Sequence, residues 1–170
     1  LMLTIRKSPP PVISQIPGVA AAGGCQLVAT CDLAIASNEA VFITPGVNIG
    51  LFCSTPMVAV SRSLGRKKTM EMLLTGESMN AEDAVSFGLI NKKVPLNELE
   101  ITVLNFAKLI ASKPTSTVRI GKEAFYKQAE LPIEKAYKYT SEVMAQNMLK
   151  KDAKEGIEAF LEKREPKWEN

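Results

Sequence analysis

The sequence predicts an α/β fold in which a short parallel-sheet unit gives way to an all-helical second half. Three observations carry this. The apolar runs Val12–Ile16, Leu33–Ala36 and Val41–Ile43 are strand-like, and a helix-compatible stretch, Cys25–Thr30, lies between the first and the second. That order, strand, crossover, strand, belongs to a parallel sheet. After Pro95 the pattern changes to longer segments with apolar residues three and four apart, the period of amphipathic helices. The chain therefore divides into a mixed core, 1–95, and a helical region, 96–170.

Each element has its own signal. Leu1–Lys7 reads as the last turns of a helix already under way, without an N-cap, so we expect the natural chain to begin upstream. Pro9-Pro10-Pro11 stops that helix. Pro17-Gly18 ends the first strand, and Val19–Ala22 resumes an extended path. Asn38-Glu39 forms a turn, and Thr44–Thr55 is a Gly-rich irregular loop. Pro56–Leu64 and Arg66–Leu74 read as two helices split at Gly65, the second closed by Thr75-Gly76. Asn80 with Asp83 marks another helix start, Gly88 its end, and Leu89–Val94 a short strand or strap. Helices over Leu99–Ile110, Pro114–Gln128, Pro132–Lys150 and Ala153–Arg164 complete the chain. In the last, Ile157, Phe160 and Leu161 share a face expected to pack inward, and Lys163 and Arg164 suit the negative end of the helix dipole.

Composition narrows the function. At 170 residues, 46% hydrophobic and 23% charged, the chain has the make-up of one ordinary globular domain. A net charge of +3 with interspersed signs does not support nucleic-acid binding. No apolar run reaches the length of a membrane span. The absence of histidine excludes Ser-His-Asp and Cys-His catalysis within these residues and removes the commonest transition-metal ligand. Cys25, Cys31 and Cys53 form no CxxC pair and read as buried thiols of a reducing compartment; we expect no metal.

Chemistry concentrates in Ile16–Asp32, IPGVAAAGGCQLVATCD. No side chain in Val19–Gly24 is larger than Val, so a second backbone or a ligand can come close. The Gly23-Gly24 pair opens a helix whose first N–H groups lack intrahelical partners and carry the positive dipole end. Such a terminus can cradle a carbonyl oxygen or a phosphate. On these residues alone a tightly packed turn is the simpler account. A Rossmann-type nucleotide site fits poorly, because the run lacks G-x-G-x-x-G.

IPGVAAAGGCQLVATCDLAIAS, the small-residue loop through Pro56, RKKTMEMLLTGESMNAEDAVSFGLINKKVP and EGIEAFLEKREPKW together resemble the crotonase (enoyl-CoA hydratase/isomerase) family. The likeness covers nearly the whole chain in the family's order. It implies a spiral of ββα turns, incomplete here at its N-terminal side, with a C-terminal helical trimerisation region. It implies a homotrimer or hexamer, an acyl-CoA thioester as substrate or ligand, and no further cofactor. The location implied is the mitochondrial matrix in a eukaryote or the cytoplasm in a bacterium. The thioester oxygen would rest between two backbone N–H groups. The second of these corresponds to Gly23, with Ala20 and Ala22 as substrate contacts; the first belongs to an earlier segment. Phe160 and Lys163 correspond to an aromatic and a lysine that meet the CoA nucleotide, and Met144 to a position often aromatic.

The chain departs from the family at the residues that activate water. The two hydratase glutamates fall on Gln26 and on Gly46, after Pro45. An amide is no general base near neutral pH and glycine has no side chain. Asp32 and Glu39 remain, but the family pattern places them away from the carbonyl, and Asp32 reads as a cap or turn residue. The expected activity is acyl-CoA binding with hydration weak or absent; a catalytically silent binding or assembly protein is the alternative.

Overall fold

The computed structural model describes residues 1–168. Two compact units form, Leu1–Arg6 with Val12–Ala107, and Lys7–Pro11 with the chain from Lys108 onward.

The first unit is built from stacked ββα repeats. Strands β1 (Ile13–Ile16) and β2 (Val19–Ala21) lead into helix α2 (Gly23–Thr30), after the short helix α1 (Met2–Lys7). Strands β3 (Leu33–Ser37) and β4 (Val41–Ile43) repeat the pattern. β1 pairs with β3 in parallel, Ile13 opposite Leu33, and β2 with β4 in parallel, Val19 opposite Val41. The bends stack as well: the Ser37 hydroxyl donates to the Pro17 carbonyl (2.9 Å) and the Val41 N–H to that of Gly18 (3.3 Å). Each repeat thus turns a corner at the same place and contributes one strand to each of two sheets. Asp32 fixes the register, its Oδ2 accepting from the Val12 N–H at 2.7 Å.

The strand β6 (Lys92–Val94) joins β3 in parallel, and β5 (Ser78–Asn80) joins β4 antiparallel. β5 is absent from the sequence reading because Ser-Met-Asn has little strand propensity; it forms because Met79 is buried opposite Phe42. Only the second half of Leu89–Val94 pairs, since the N–H groups of Leu89 and Ile90 both turn back to the Ala84 carbonyl. Between the sheets and helices α3 (Ser54–Ser63), α4 (Arg66–Thr75) and α5 (Ala81–Ser86) lies a core centred on Phe42, Met79, Val60 and Cys25. Asn80 caps α5 through its Oδ1, 2.8 Å from the Asp83 N–H. Helix α6 (Leu96–Ala111) starts earlier than its apolar period suggests. Leu99, Val103 and Phe106 on it pack with Ile35 and Val94, so the first unit extends past Pro95 to Ala107.

The second unit contains α7 (Thr115–Gln128), α8 (Ile133–Met148) and α9 (Lys151–Glu162). Among its described residues the buried positions are alanines, Ala124, Ala136 and Ala159, while Phe125, Ile133, Tyr137, Met144 and Leu149 are exposed. The expected inward face of α9 is overturned here: Phe160 is 81% and Leu161 73% exposed, and Ile157 is half exposed. Ala159 takes the inward position, because small residues let helices approach closely and leave the large side chains outside. The helix also closes at Glu162, before the two basic residues assigned to its last turn.

Candidate functional site

The β2–α2 turn is closed by backbone alone. The Ala22 N–H donates to the Ile43 carbonyl (2.9 Å), and the Gln26 N–H to the Ala22 carbonyl (3.0 Å). Ala22 itself sits at φ 45°, ψ −107°, a region L-residues rarely enter. The twist carries the chain from strand into helix within one residue, so α2 starts at Gly23, two residues before the stretch its sequence suggests. Among the described residues nothing accepts from the Gly23 N–H. Gly23 is exposed, and a Cβ there would meet no atom within 4 Å, so the turn is open to solvent on the Cα side. The aligned peptide dipoles of α2 place partial positive charge there. Ala22 is half-buried, and Ala20 is buried in the core cluster.

Gln26 lies in the first turn of α2, half-buried, its carbonyl accepting from the Thr30 hydroxyl at 2.7 Å. Gly46 lies in a 3-10 turn, Pro45–Ile49, in the loop that follows β4. That turn and a helix beginning at Ser54 take most of the stretch expected to be irregular. The loop closes tightly, the Leu51 N–H donating to the Gly46 carbonyl at 2.9 Å. A Cβ on Gly46 would stand 2.9 Å from the Leu51 carbonyl oxygen, 3.0 Å from Cys53 Sγ and 3.2 Å from the Cys53 nitrogen. The space where a side chain would begin is filled by backbone and a thiol.

Cys25 is fully buried, and burial, reinforced by Cys53, pushes its thiol up to about 12. It is a core thiol rather than a nucleophile. Cys53 is buried too; Cys31, expected to be so, is half-buried at the end of α2. Sequence reasoning missed the apolar rim of the loop, Ile49, Leu51 and Phe52, all exposed. Its signal was Leu51-Phe52 inside an otherwise Gly- and Pro-rich stretch.

On the second unit, Phe160 and Leu161 line an open groove of about 440 Å³ with Pro114, Asn147, Gly156 and Trp168. Lys163 is exposed just past the end of α9, and Met144 is exposed on α8. Among the described residues no group of three or more His, Cys, Asp or Glu is placed to hold a metal ion, and no helix is long and apolar enough to cross a membrane.

Stacked ββα repeats with an open helix N-terminus at the strand–helix turn define an α/β protein of the spiral class. Comparison with known proteins agrees. The enoyl-CoA hydratase/isomerase family model matches residues 1–170. The chain is 49% identical over 168 residues to the mitochondrial enoyl-CoA hydratase domain-containing protein 3 of Rattus norvegicus, covering 99% of this chain and 56% of that protein. The crystal structure of the human protein of that name superposes with a TM-score of 0.95 at 49% identity, over 98% of this chain and 66% of that one. An enoyl-CoA hydratase from Mycobacterium smegmatis gives a TM-score of 0.97 at 48% identity, over 99% and 66%. The chain belongs to the enoyl-CoA hydratase/isomerase family and carries the crotonase fold. It spans little more than half the length of its curated mammalian relatives.

Proposed function

We propose that this chain is the larger part of an acyl-CoA-binding protein in which the Gly23 N–H polarises a thioester carbonyl, with hydration of enoyl-CoA weak or absent. The observation that carries the reading is the turn itself: a helix N-terminus with an unmatched N–H on an exposed glycine and a strained Ala22 holding it in place. An oxyanion or enolate forming at that point gains a donor and a helix dipole that need no reorganisation. The second donor is assigned to the upstream part of the full-length protein.

Gln26 and Gly46 supply neither a base nor an acid at the positions of the family's glutamates. At Gly46 this goes beyond a missing side chain, because the loop has closed over the space where one would start. That observation also supports the second reading, a catalytically silent acyl-CoA-binding or assembly protein. Phe160 and Lys163 are assigned to the CoA nucleotide, a ring for its apolar part and a mobile cation for phosphate. The exposed Phe125, Ile133 and Tyr137 support assembly, with a homotrimer or hexamer as the proposed state. The relatives' names place them in mitochondria. We assign this protein to the matrix in a eukaryotic source and to the cytoplasm in a bacterial one.

The test is turnover of crotonyl-CoA by the full-length protein with ligand binding measured in parallel. Binding with negligible hydration supports the proposal. Hydration at roughly 1–10³ s⁻¹, the ordinary range of enzymes, refutes it. Light scattering at micromolar concentration tests assembly; a monomer contradicts it.

A further inference from the structure

The end of α9 is closed by a lysine where glycine is the low-energy choice. The Lys163 N–H donates to the Phe160 carbonyl (3.3 Å) and the Arg164 N–H to that of Ala159 (3.0 Å), with Lys163 at φ 55°, ψ 40°. This crossed pair of bonds is the Schellman closure, whose left-handed residue is usually glycine because a Cβ there crowds the backbone. Among the described residues Lys163 and Ala22 are the two non-glycines with positive φ. Strain of this kind persists only where neighbouring contacts over-determine it.

Those contacts come from two carboxylates, Glu155 and Glu162, of which Glu155 makes the larger share. Glu155, on α9, accepts from Arg164 through both oxygens, Nη1 to Oε1 at 2.6 Å and Nη2 to Oε2 at 3.1 Å. Its Oε1 also accepts from the Lys167 N–H at 2.7 Å. Arg164 Nε adds a bond to Glu162 Oε2 at 2.6 Å. The Trp168 ring lies over Gly156, where a Cβ would be 3.2 Å from it. The tail after Lys163 is therefore folded back along the helix. The Arg164 hydrogen bonds first, then the Lys167 N–H, hold the Glu155 carboxyl at about 2, so it stays ionised. The clamp engages the Arg164 charge, whereas among the described residues no carboxylate pairs with Lys163.

We propose that Glu155 and Arg164 are positioning residues for Lys163, their bidentate pair holding the lysine in its left-handed conformation so that its ammonium is presented to the phosphate groups of coenzyme A. The proposal rests on the assignment of Lys163 to the ligand made above. It gives the strain a purpose: Gly at this position would close the helix at lower cost but present no charge.

The test uses the full-length protein, free coenzyme A and calorimetric titration at low salt, on Lys163→Gly, Glu155→Gln and the double variant. Lys163→Gly is expected to raise the thermal midpoint while lowering affinity roughly five- to thirtyfold, the range of one charge-assisted contact. Glu155→Gln removes a negative charge and breaks the bidentate pair, leaving Arg164 paired with Glu162 alone, and by charge alone both changes strengthen anion binding. Positioning gives the opposite sign, a loss of about threefold or more that disappears in the Lys163→Gly background. Unchanged or tighter binding of Glu155→Gln, or an equal loss in both backgrounds, overturns the proposal and leaves the clamp a helix closure. If Lys163→Gly binds coenzyme A like wild type, the assignment of Lys163 itself fails and the proposal falls with it, a result told apart by that single variant.

Discussion

Replacing Gly46 by alanine tests whether the loop has committed this position to backbone packing. φ at Gly46 lies outside the left-handed region, so the added methyl meets no conformational penalty of its own. It meets contacts instead: the Leu51 oxygen at 2.9 Å and the Cys53 nitrogen at 3.2 Å are backbone atoms, and Cys53 Sγ at 3.0 Å is itself buried. Overpacking of this kind costs about 1–3 kcal/mol, because the Leu51 to Gly46 bond must lengthen or the 3-10 turn must open. On the scale of a domain of 150–250 residues each kcal/mol lowers the midpoint by about 2–4 °C, and in the longer full-length protein by less. Thermal and urea melts of the full-length protein check it, with Gly23→Ala as control. A Cβ at Gly23 touches nothing within 4 Å, so that variant is expected within about 0.5 kcal/mol of wild type. Adding Cys53→Ala to Gly46→Ala should recover only part of the loss, since two of the three close atoms are main chain. Gly46→Glu should melt at least as low as Gly46→Ala and restore no hydration, while Gln26→Glu at the dipole's positive end should fold normally. A Gly46→Ala protein as stable as wild type refutes the reasoning.

Other outcomes follow from single groups. Lys163→Ala should weaken coenzyme A binding by about 1–2 kcal/mol at low salt, the difference shrinking as salt is raised; titration at two ionic strengths checks it. Because the folded Cys25 thiol lies near 12, above its unfolded value, its stabilising contribution is complete below about pH 8.5 and is lost as pH rises toward 12. At pH 8 a thiol reagent should therefore label Cys31 before Cys25, read by mass spectrometry. Glu155 has the opposite sign: its folded value near 2 lies below the unfolded one, so the Arg164 clamp survives at pH 5 and opens as pH falls toward 2. Carboxyl NMR follows that titration.

How much of this was legible in the sequence depends on whether a feature is local. The strand–turn–helix order around Gly23, the Asn80 cap and the Gly76 and Gly88 closures were readable, because each is fixed by residues adjacent in the chain. β5 was not, since Ser78–Asn80 becomes a strand only beside β4. The outward faces of Phe160 and Leu161 defeated periodicity, which identifies an apolar face without saying whether anything covers it. The crowding at Gly46 comes from residues five and seven positions on, and no propensity encodes that close approach. The left-handed Ala22 and Lys163 were invisible for a similar reason. Neither residue type announces positive φ, and each is held there by hydrogen bonds to other segments or to its own helix.

The central claim is that the Gly23 N–H polarises a thioester carbonyl without the acid–base pair needed to add water. Its most direct measurement is the infrared difference spectrum of a carbonyl-¹³C-labelled acyl-CoA thioester bound to the full-length protein. The carbonyl stretch should fall on binding, as hydrogen bonds at the α2 terminus draw electron density onto oxygen. A bound thioester whose carbonyl stretch stays at its value in water would contradict it.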